Sequence, residues 1–211
     1  MDEENNIQNY SLEEGEFLVR LARNSIIHYL TFGKLIEEPK DTPDKFQEDS
    51  GVFVTLNKID QNQMKNLRGC IGFPLPHYPL VQATIQASKS AAVGDPRFPI
   101  VTIDEMKNIV VEVTVLTQPR EIIVNNSKEY FEKIKIGRDG LIVRNSGRTG
   151  LLLPQVPVEW SWDVKEFLEH TCNKAGLSRD CWKNANTIFE SFRGIIFHEV
   201  EPNGEVVQEE I

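Results

Sequence analysis

Cysteine is scarce in this chain and unpatterned. The 211 residues hold three, Cys70, Cys172 and Cys181, and no two stand in C-x-x-C spacing. That argues against a zinc ribbon and against the disulfide framework of a small secreted domain. Ligand-spaced histidines are missing as well: His28, His77, His170 and His198 form no H-x-x-x-H or H-E-x-x-H pair, which argues against a zinc hydrolase. No apolar run approaches the length that crosses a bilayer. The opening MDEENNIQNY is acidic and polar, unlike the basic-then-apolar start of a secretory leader. The expectation is a soluble cytoplasmic protein with no metal, no cofactor and no membrane partner. A basic excess is also lacking. There are 23 Lys and Arg against 32 Asp and Glu, a net charge of −9, so the clustered cations that give sequence-independent phosphate affinity are not available. Many of the acids sit near the chain ends, at 2–4, 13–14 and 199–210, where solvated charge explains them.

What is present is an ordinary globular composition, 40% hydrophobic and 26% charged, in a chain long enough for one well-buried core or two small lobes. Ser11 and Glu14 have capping-box spacing ahead of Phe17, Leu18, Leu21, Ala22, Ser25 and Tyr29, which recur at helical intervals up to a stop at Gly33. The run 51–56 (GVFVTL) reads as a strand, 57–66 as a hairpin loop and 67–73 as the returning strand. Prolines 74, 76 and 79 end it, and 80–93 predicts a helix rich in small residues. Thr102 and Glu105 space a second capping box, and 108–116 (NIVVEVTVL) alternates as a strand. The order then recurs: a hairpin over 140–153, prolines 154 and 157, a helix from Val164 to Ala175 capped by Asp163 and Glu166, and a last strand over 188–200. Trp160, Trp162, Phe167 and Leu168 are read as core. Two copies offset by roughly ninety residues are too few for a solenoid. They fit either an old duplication into two α+β lobes or a common motif used twice.

The segment LRGCIG, 67–72, is the unusual one. Glycine weakens a strand, and two of them three apart imply a bulge, a bend or a close backbone approach. Alternation puts Arg68, Cys70 and Gly72 on one face and Leu67, Gly69 and Ile71 on the other. Cys70 thus has two readings: a nucleophile whose thiolate is favoured by Arg68 and Arg97, or a small buried hydrophobe. In DPRF, 95–98, Arg97 supplies a planar fork for carboxylate or phosphate, while Asp95 turns the chain and pairs with an arginine. Gln155, the one polar side chain in GLLLPQV, lines the same cleft in company with Glu159, or else satisfies backbone around the prolines. Two G-x-x-G stretches, 69–72 and 147–150, fit the nucleic-acid loop of a KH domain poorly, because neither lies between two helices.

LRGCIG, an alanine-rich helix, DPRF, VEVTVL-x-x-P, GLLLPQV and WD-x-x-x-FL together resemble the AMMECR domain family over nearly the whole chain. The resemblance implies an α+β fold with a larger and a smaller subdomain and a cleft at LRGCIG. It implies roles in transcription, replication, repair or translation, and a pathway shared with Memo-type and radical SAM proteins, but no stated activity. FPLPHYP departs from the family pattern, so no role is inherited by His77. The lobes are expected at about 1–50 with 108–211, and at 51–107.

Two functions of different class follow. One is an enzyme or enzyme subunit with Cys70 as catalytic group and Arg68, Gly69, Gly72, Asp95, Arg97 and Gln155 around a small anionic or nucleotide-like ligand. The other is an adaptor docking a protein partner with no chemistry. The net charge of −9, with only a short basic stretch at Arg138 to Arg148, argues against strong non-specific nucleic-acid binding. A random oligonucleotide is expected not to be retained at micromolar protein and about 0.15 M salt; micromolar retention in a filter-binding assay would contradict this.

Overall fold

The computed structural model describes residues 10–209, so the first nine residues, on which the leader-free reading rests, lie outside the described residues. Along the chain run α1 (Leu12–Phe32), β1 (Val52–Ile59), β2 (Lys65–Phe73), α2 (Leu80–Val93), β3 (Ile109–Leu116) and β4 (Arg120–Glu121). There follow α3 (Tyr130–Lys133), β5 (Gly140–Asn145), β6 (Arg148–Leu152), α4 (Gln155–Glu159), α5 (Val164–Lys174), β7 (Ile188–Phe192), β8 (Gly194–Glu199) and β9 (Val206–Glu209). The fold is α+β. Among the described residues no helix is long and apolar enough to cross a membrane. The chain forms two compact units, one built up to Thr117 and again from Ile195, the other from Gln118–Gly194.

In the first unit five strands are ordered β2-β1-β3-β8-β9. Alternation in GVFVTL and VVEVTVL gives each central strand one apolar face. The register opposes Val52 to Val115, Val54 to Val113 and Leu56 to Val111, and all six side chains are fully buried. Leu18, Val19, Ala22 and Ile26 of α1 and Ala83, Ala87 and Ala91 of α2 complete that core. Full burial of each large aliphatic stabilises by about 1.5–3 kcal/mol. The N-terminus of α1 is fixed as its spacing predicts: Glu14 N donates to Ser11 Oγ at 3.2 Å and Ser11 N to Glu14 Oε2 at 2.8 Å. Gly33 closes it in the left-handed region, φ 67°. A buried ion pair joins α1 to the end of β8. Arg23 Nε donates to Glu199 Oε1 at 2.6 Å, its Nη1 to the Met106 carbonyl at 3.2 Å, and Val111 N donates to Glu199 Oε2 at 2.9 Å. A buried charge pair is tolerated when its remaining donors and acceptors are filled in this way.

The second unit is a four-stranded sheet, β4-β7-β5-β6. Phe167, Leu168 and Cys172 of α5 pack on Leu141, Val143 and Phe189. Asp163 and Glu166 form the expected capping box of α5.

Several expectations are corrected. The hairpin loop is shorter than 57–66, because β1 continues to Ile59 and β2 starts at Lys65. The strand anticipated over 188–200 is two strands, β7 and β8, in different sheets, which is why its alternation is untidy. Trp160 is 67% exposed rather than core. The units also differ from the lobes anticipated at 51–107 and the remainder, since β3 pairs with β1 along the strand and shares its core. Finally, Cys172 and Cys181 are joined by a disulfide, and Cys70 is free. A nine-residue separation is no motif; the bond depends on the chain turning back after α5.

Under denaturing, non-reducing conditions one thiol per chain is expected to titrate, and three after reduction. Replacing both Cys172 and Cys181 by serine is expected to cost about 2–3 kcal/mol in the second unit's unfolding, from loop-closure entropy. Three titratable thiols before reduction would remove the bond.

Candidate functional site

The site begins with a bulge. Leu56 pairs with Gly69 but Asn57 with Leu67, so Arg68 is an extra residue in β2. The bulge corrects the simple alternation: Leu67 shares a face with Cys70, and Gly69 faces α2. A Cβ on Gly69 would stand 2.2 Å from the Ala91 carbonyl oxygen, and one on Gly72 would stand 2.5 Å from the Phe53 ring. Both glycines admit close neighbours, a helix end and an aromatic ring.

Arg68 is buried by the bulge and fully engaged. Its Nε and Nη2 donate to the two carboxylate oxygens of Glu105 at 3.2 and 3.1 Å. Nη1 and Nη2 also donate to the carbonyls of Pro99 and Ile100 at 2.8 and 3.3 Å. This bidentate pair holds Glu105 well below the usual carboxylate range, at about 2, chiefly through its hydrogen bonds from Arg68. Glu105 at the same time caps the 3-10 helix Ile103–Asn108, accepting from Thr102 N at 3.0 Å.

β2 is an edge strand, and DPRF supplies what a neighbouring strand would. Cys70 N donates to Asp95 Oδ2 at 2.9 Å, and Arg97 Nη2 donates to the Cys70 carbonyl at 3.3 Å. Arg97 Nε and Nη2 donate to Asp95 at 3.0 and 2.7 Å, so the two residues form one plate against the strand. Asp95 is buried, its carboxyl pushed far down by the Arg97 guanidinium, while the Arg97 side chain is 55% exposed.

Cys70 points to the sheet face away from α1 and α2. It opposes Thr55, which opposes Glu112 on β3, and Thr55 Oγ1 donates to Cys70 Sγ at 3.3 Å. The thiol is half-buried and free. Burial pushes it above its ordinary value, with Thr55 and Arg97 opposing and Glu112 and Asp95 adding to the rise. The cation facing the thiol is therefore Arg97, not Arg68, and the thiolate is disfavoured at rest. Burial raises Glu112 too, helped by Glu209. On the neighbouring β8, His198 is lowered by burial, and its Nδ1 lies 3.9 Å from Glu209 Oε2 without a hydrogen-bond partner among the described residues.

Of the residues named from sequence, the first unit gathers Arg68, Gly69, Cys70, Gly72, Asp95 and Arg97. Gln155 is the exposed first residue of α4, and Glu159 the last, both in the second unit. His77 is exposed, and His170 stacks on Trp162 with centroids 3.8 Å apart. Thr55, Glu105 and Glu112 were missed. Strand register alone brings Thr55 and Glu112 to Cys70, and no motif spacing carries it; Glu105 was legible only as a cap. Among the described residues no three His, Cys, Asp or Glu are grouped to hold a metal ion.

Residues 19–197 match the family model described as AMMECR1. The chain is 58% identical over 194 residues to Protein PYRAB00100 of Pyrococcus abyssi, covering 92% of this chain and 94% of that one. It is 54% identical over 202 residues to Protein MK0488 of Methanopyrus kandleri, covering 95% and 96%. The crystal structure of the uncharacterized protein PH0010 from Pyrococcus horikoshii superposes with a TM-score of 0.77 at 56% identity, over 94% of this chain and 98% of that one.

Glu105 has a lowered folded-state pKa, so between about 2 and its ordinary 4.5 the native state binds fewer protons than the unfolded one. Its contribution is complete above that window and is lost as pH falls through it; Asp95 acts in the same direction. Urea unfolding against pH is expected to show wild-type stability falling as pH drops from 4.5 towards 2. Glu105→Gln should be about 2 kcal/mol less stable at neutral pH and should fall less steeply in acid. An unchanged acid slope in Glu105→Gln would show that Arg68 does not depend on that charge.

Proposed function

The chain belongs to the AMMECR1 family, and we propose that the polar face of its first sheet at LRGCIG and DPRF is a small-ligand site, with Cys70 as its reacting group. The observation that carries this is the placement of the one free thiol. It lies half-buried beside Thr55 and Glu112 on the face away from the helices, with its backbone locked by Asp95 and Arg97. A cysteine serving as packing would sit with Val54 and Leu56 on the opposite face. Arg97 gives the site its half-exposed cation, the group that faces the anionic part of a ligand. Arg68, Gly69, Gly72 and Asp95 hold the strand and loop in place. Gln155 belongs to the second unit and has no part in this reading.

A second reading, an adaptor surface, is favoured by a specific feature. Met64, Leu67, Ile100 and Ile103 are exposed on or beside the segments that Arg68 ties together. Partner capture lost in Leu67→Asp or Ile100→Asp, with Cys70 reactivity intact, would support docking.

Timed iodoacetamide modification of the native, unreduced protein tests the first reading. Cys70 is expected to be modified without global unfolding, increasingly above neutral pH, while the bonded Cys172 and Cys181 stay unmodified. Arg97→Ala should slow the reaction severalfold by removing the cation that favours the thiolate. Cys70→Ser, nearly isosteric, should stay folded. Protection of Cys70 until global unfolding would reduce LRGCIG to a packing motif.

A further inference from the structure

The register of the first sheet sets Cys70, Thr55 and Glu112 abreast on three consecutive strands. Directly opposed residues on neighbouring strands hold their Cβ atoms roughly 4.5–5.5 Å apart. The Thr55 hydroxyl donates to Cys70 Sγ at 3.3 Å, and Glu112 stands directly opposite Thr55 on β3. A hydroxyl has one proton to give and lone pairs that accept. Turned about its Cβ–Oγ1 bond so that its proton faces Glu112, it can receive the thiol proton on one side while releasing its own on the other. We propose that Glu112 accepts the proton of Cys70 through the Thr55 hydroxyl, making a thiol–hydroxyl–carboxylate relay. The inference rests on Cys70 being the reacting group, as proposed above.

In the step, the S–H proton passes to Thr55 Oγ1 as the Thr55 proton passes to Glu112. The sulfur pair forms a bond to an electrophilic carbon, whose leaving group departs with its own electron pair and finds a proton on Glu112. The pair carries one negative charge before and after, so no second charge is created in a desolvated place. This suits an acyl or alkyl donor that is neutral at its reacting carbon, any anionic part turned towards Arg97. The other charged groups around the pair are Lys65 on β2, His198 on β8, Glu209 on β9 and the Asp95–Arg97 plate. Glu209 favours and Lys65 opposes the protonated form of Glu112. His198, pushed towards its neutral form by burial, has its Nδ1 3.9 Å from Glu209 Oε2.

The test is the pH profile of Cys70 alkylation by iodoacetamide, where the bond formed is S–C and iodide leaves. A relay gives wild type a pH-independent step on the acid side of the thiol titration, because the thiolate paired with a protonated Glu112 keeps a constant fraction there. Glu112→Gln should lose the step and decline tenfold per pH unit. Thr55→Val should follow Glu112→Gln, while Thr55→Ser, which keeps the hydroxyl, should follow wild type; thermal melts confirm that each variant is folded. If Glu112 acts only as a nearby charge, its removal leaves one titration curve displaced to lower pH and faster at neutral pH. Parallel single titrations in wild type and Glu112→Gln would overturn the relay while leaving Cys70 reactive. Absence of reaction before global unfolding would instead overturn the site and the relay with it.

Discussion

An edge strand leaves backbone donors and acceptors without partners, and at Cys70 one residue pair supplies both. The Asp95 carboxylate takes the N–H and Arg97 reaches the carbonyl. Because Asp95 is itself buried and held by Arg97 in a bidentate arrangement, the strand is closed by side chains rather than by another strand. The arrangement fixes β2 against β1, and with it the opposition of Cys70 to Thr55. Arg68 adds a second tie, gathering the carbonyls of Pro99 and Ile100 and the Glu105 carboxylate from the loop that follows α2. Two of the arginines that a sequence reader assigns to a ligand thus have structural partners, and only Arg97 also presents a half-exposed guanidinium.

The elements were legible where local chemistry decides them. The capping boxes at Ser11 and Glu14, Thr102 and Glu105, and Asp163 and Glu166 all close as their spacing predicts, and VEVTVL is a central strand. What was not legible depends on pairing. The bulge at Arg68 reverses which face Leu67 shares, and nothing in LRGCIG marks it apart from glycines that admit other readings. The division of 188–200 into β7 and β8 follows from the chain passing from one sheet to the other, which alternation does not announce. Cys172 and Cys181 meet because the chain turns after α5, a tertiary fact. Trp160 was misplaced because a large aromatic was taken as core, whereas it stands on the surface.

The recurrence of hairpin, helix and strand is more than a matter of element order. In the first unit the strands run β2-β1-β3, and in the second β6-β5-β7; in both, the third strand pairs antiparallel with the first strand of the hairpin. Gly69 lies under the end of α2, where a Cβ would meet the Ala91 carbonyl, and Gly150 lies under the end of α5, where a Cβ would meet the Ala175 amide at 2.5 Å. The same residue type solves the same close approach at the corresponding place on the second hairpin strand. Among the described residues, the polar face at Cys70 has no free-thiol counterpart in the second unit.

That difference bears on chemistry. Familiar thiol enzymes place an imidazole beside sulfur because a neutral base and a thiolate–imidazolium pair suit a solvated cleft. Here the residues in register with Cys70 on the next two strands are Thr55 and Glu112, and both the thiol and the neighbouring carboxyl are pushed towards their protonated forms by burial. A carboxylate is a poor base in water, and desolvation raises its affinity for a proton as it raises that of the thiol. A hydroxyl between them lets the proton move without bringing two anions into contact. The constraints that force LRGCIG to carry glycines, close packing of α2 at Gly69 and of Val52 and the Phe53 ring at Gly72, are separate from the constraint that places the thiol, which is the register set by the Asp95 and Arg97 plate. One short segment therefore serves two ends, with packing on the helix side and polar groups on the other.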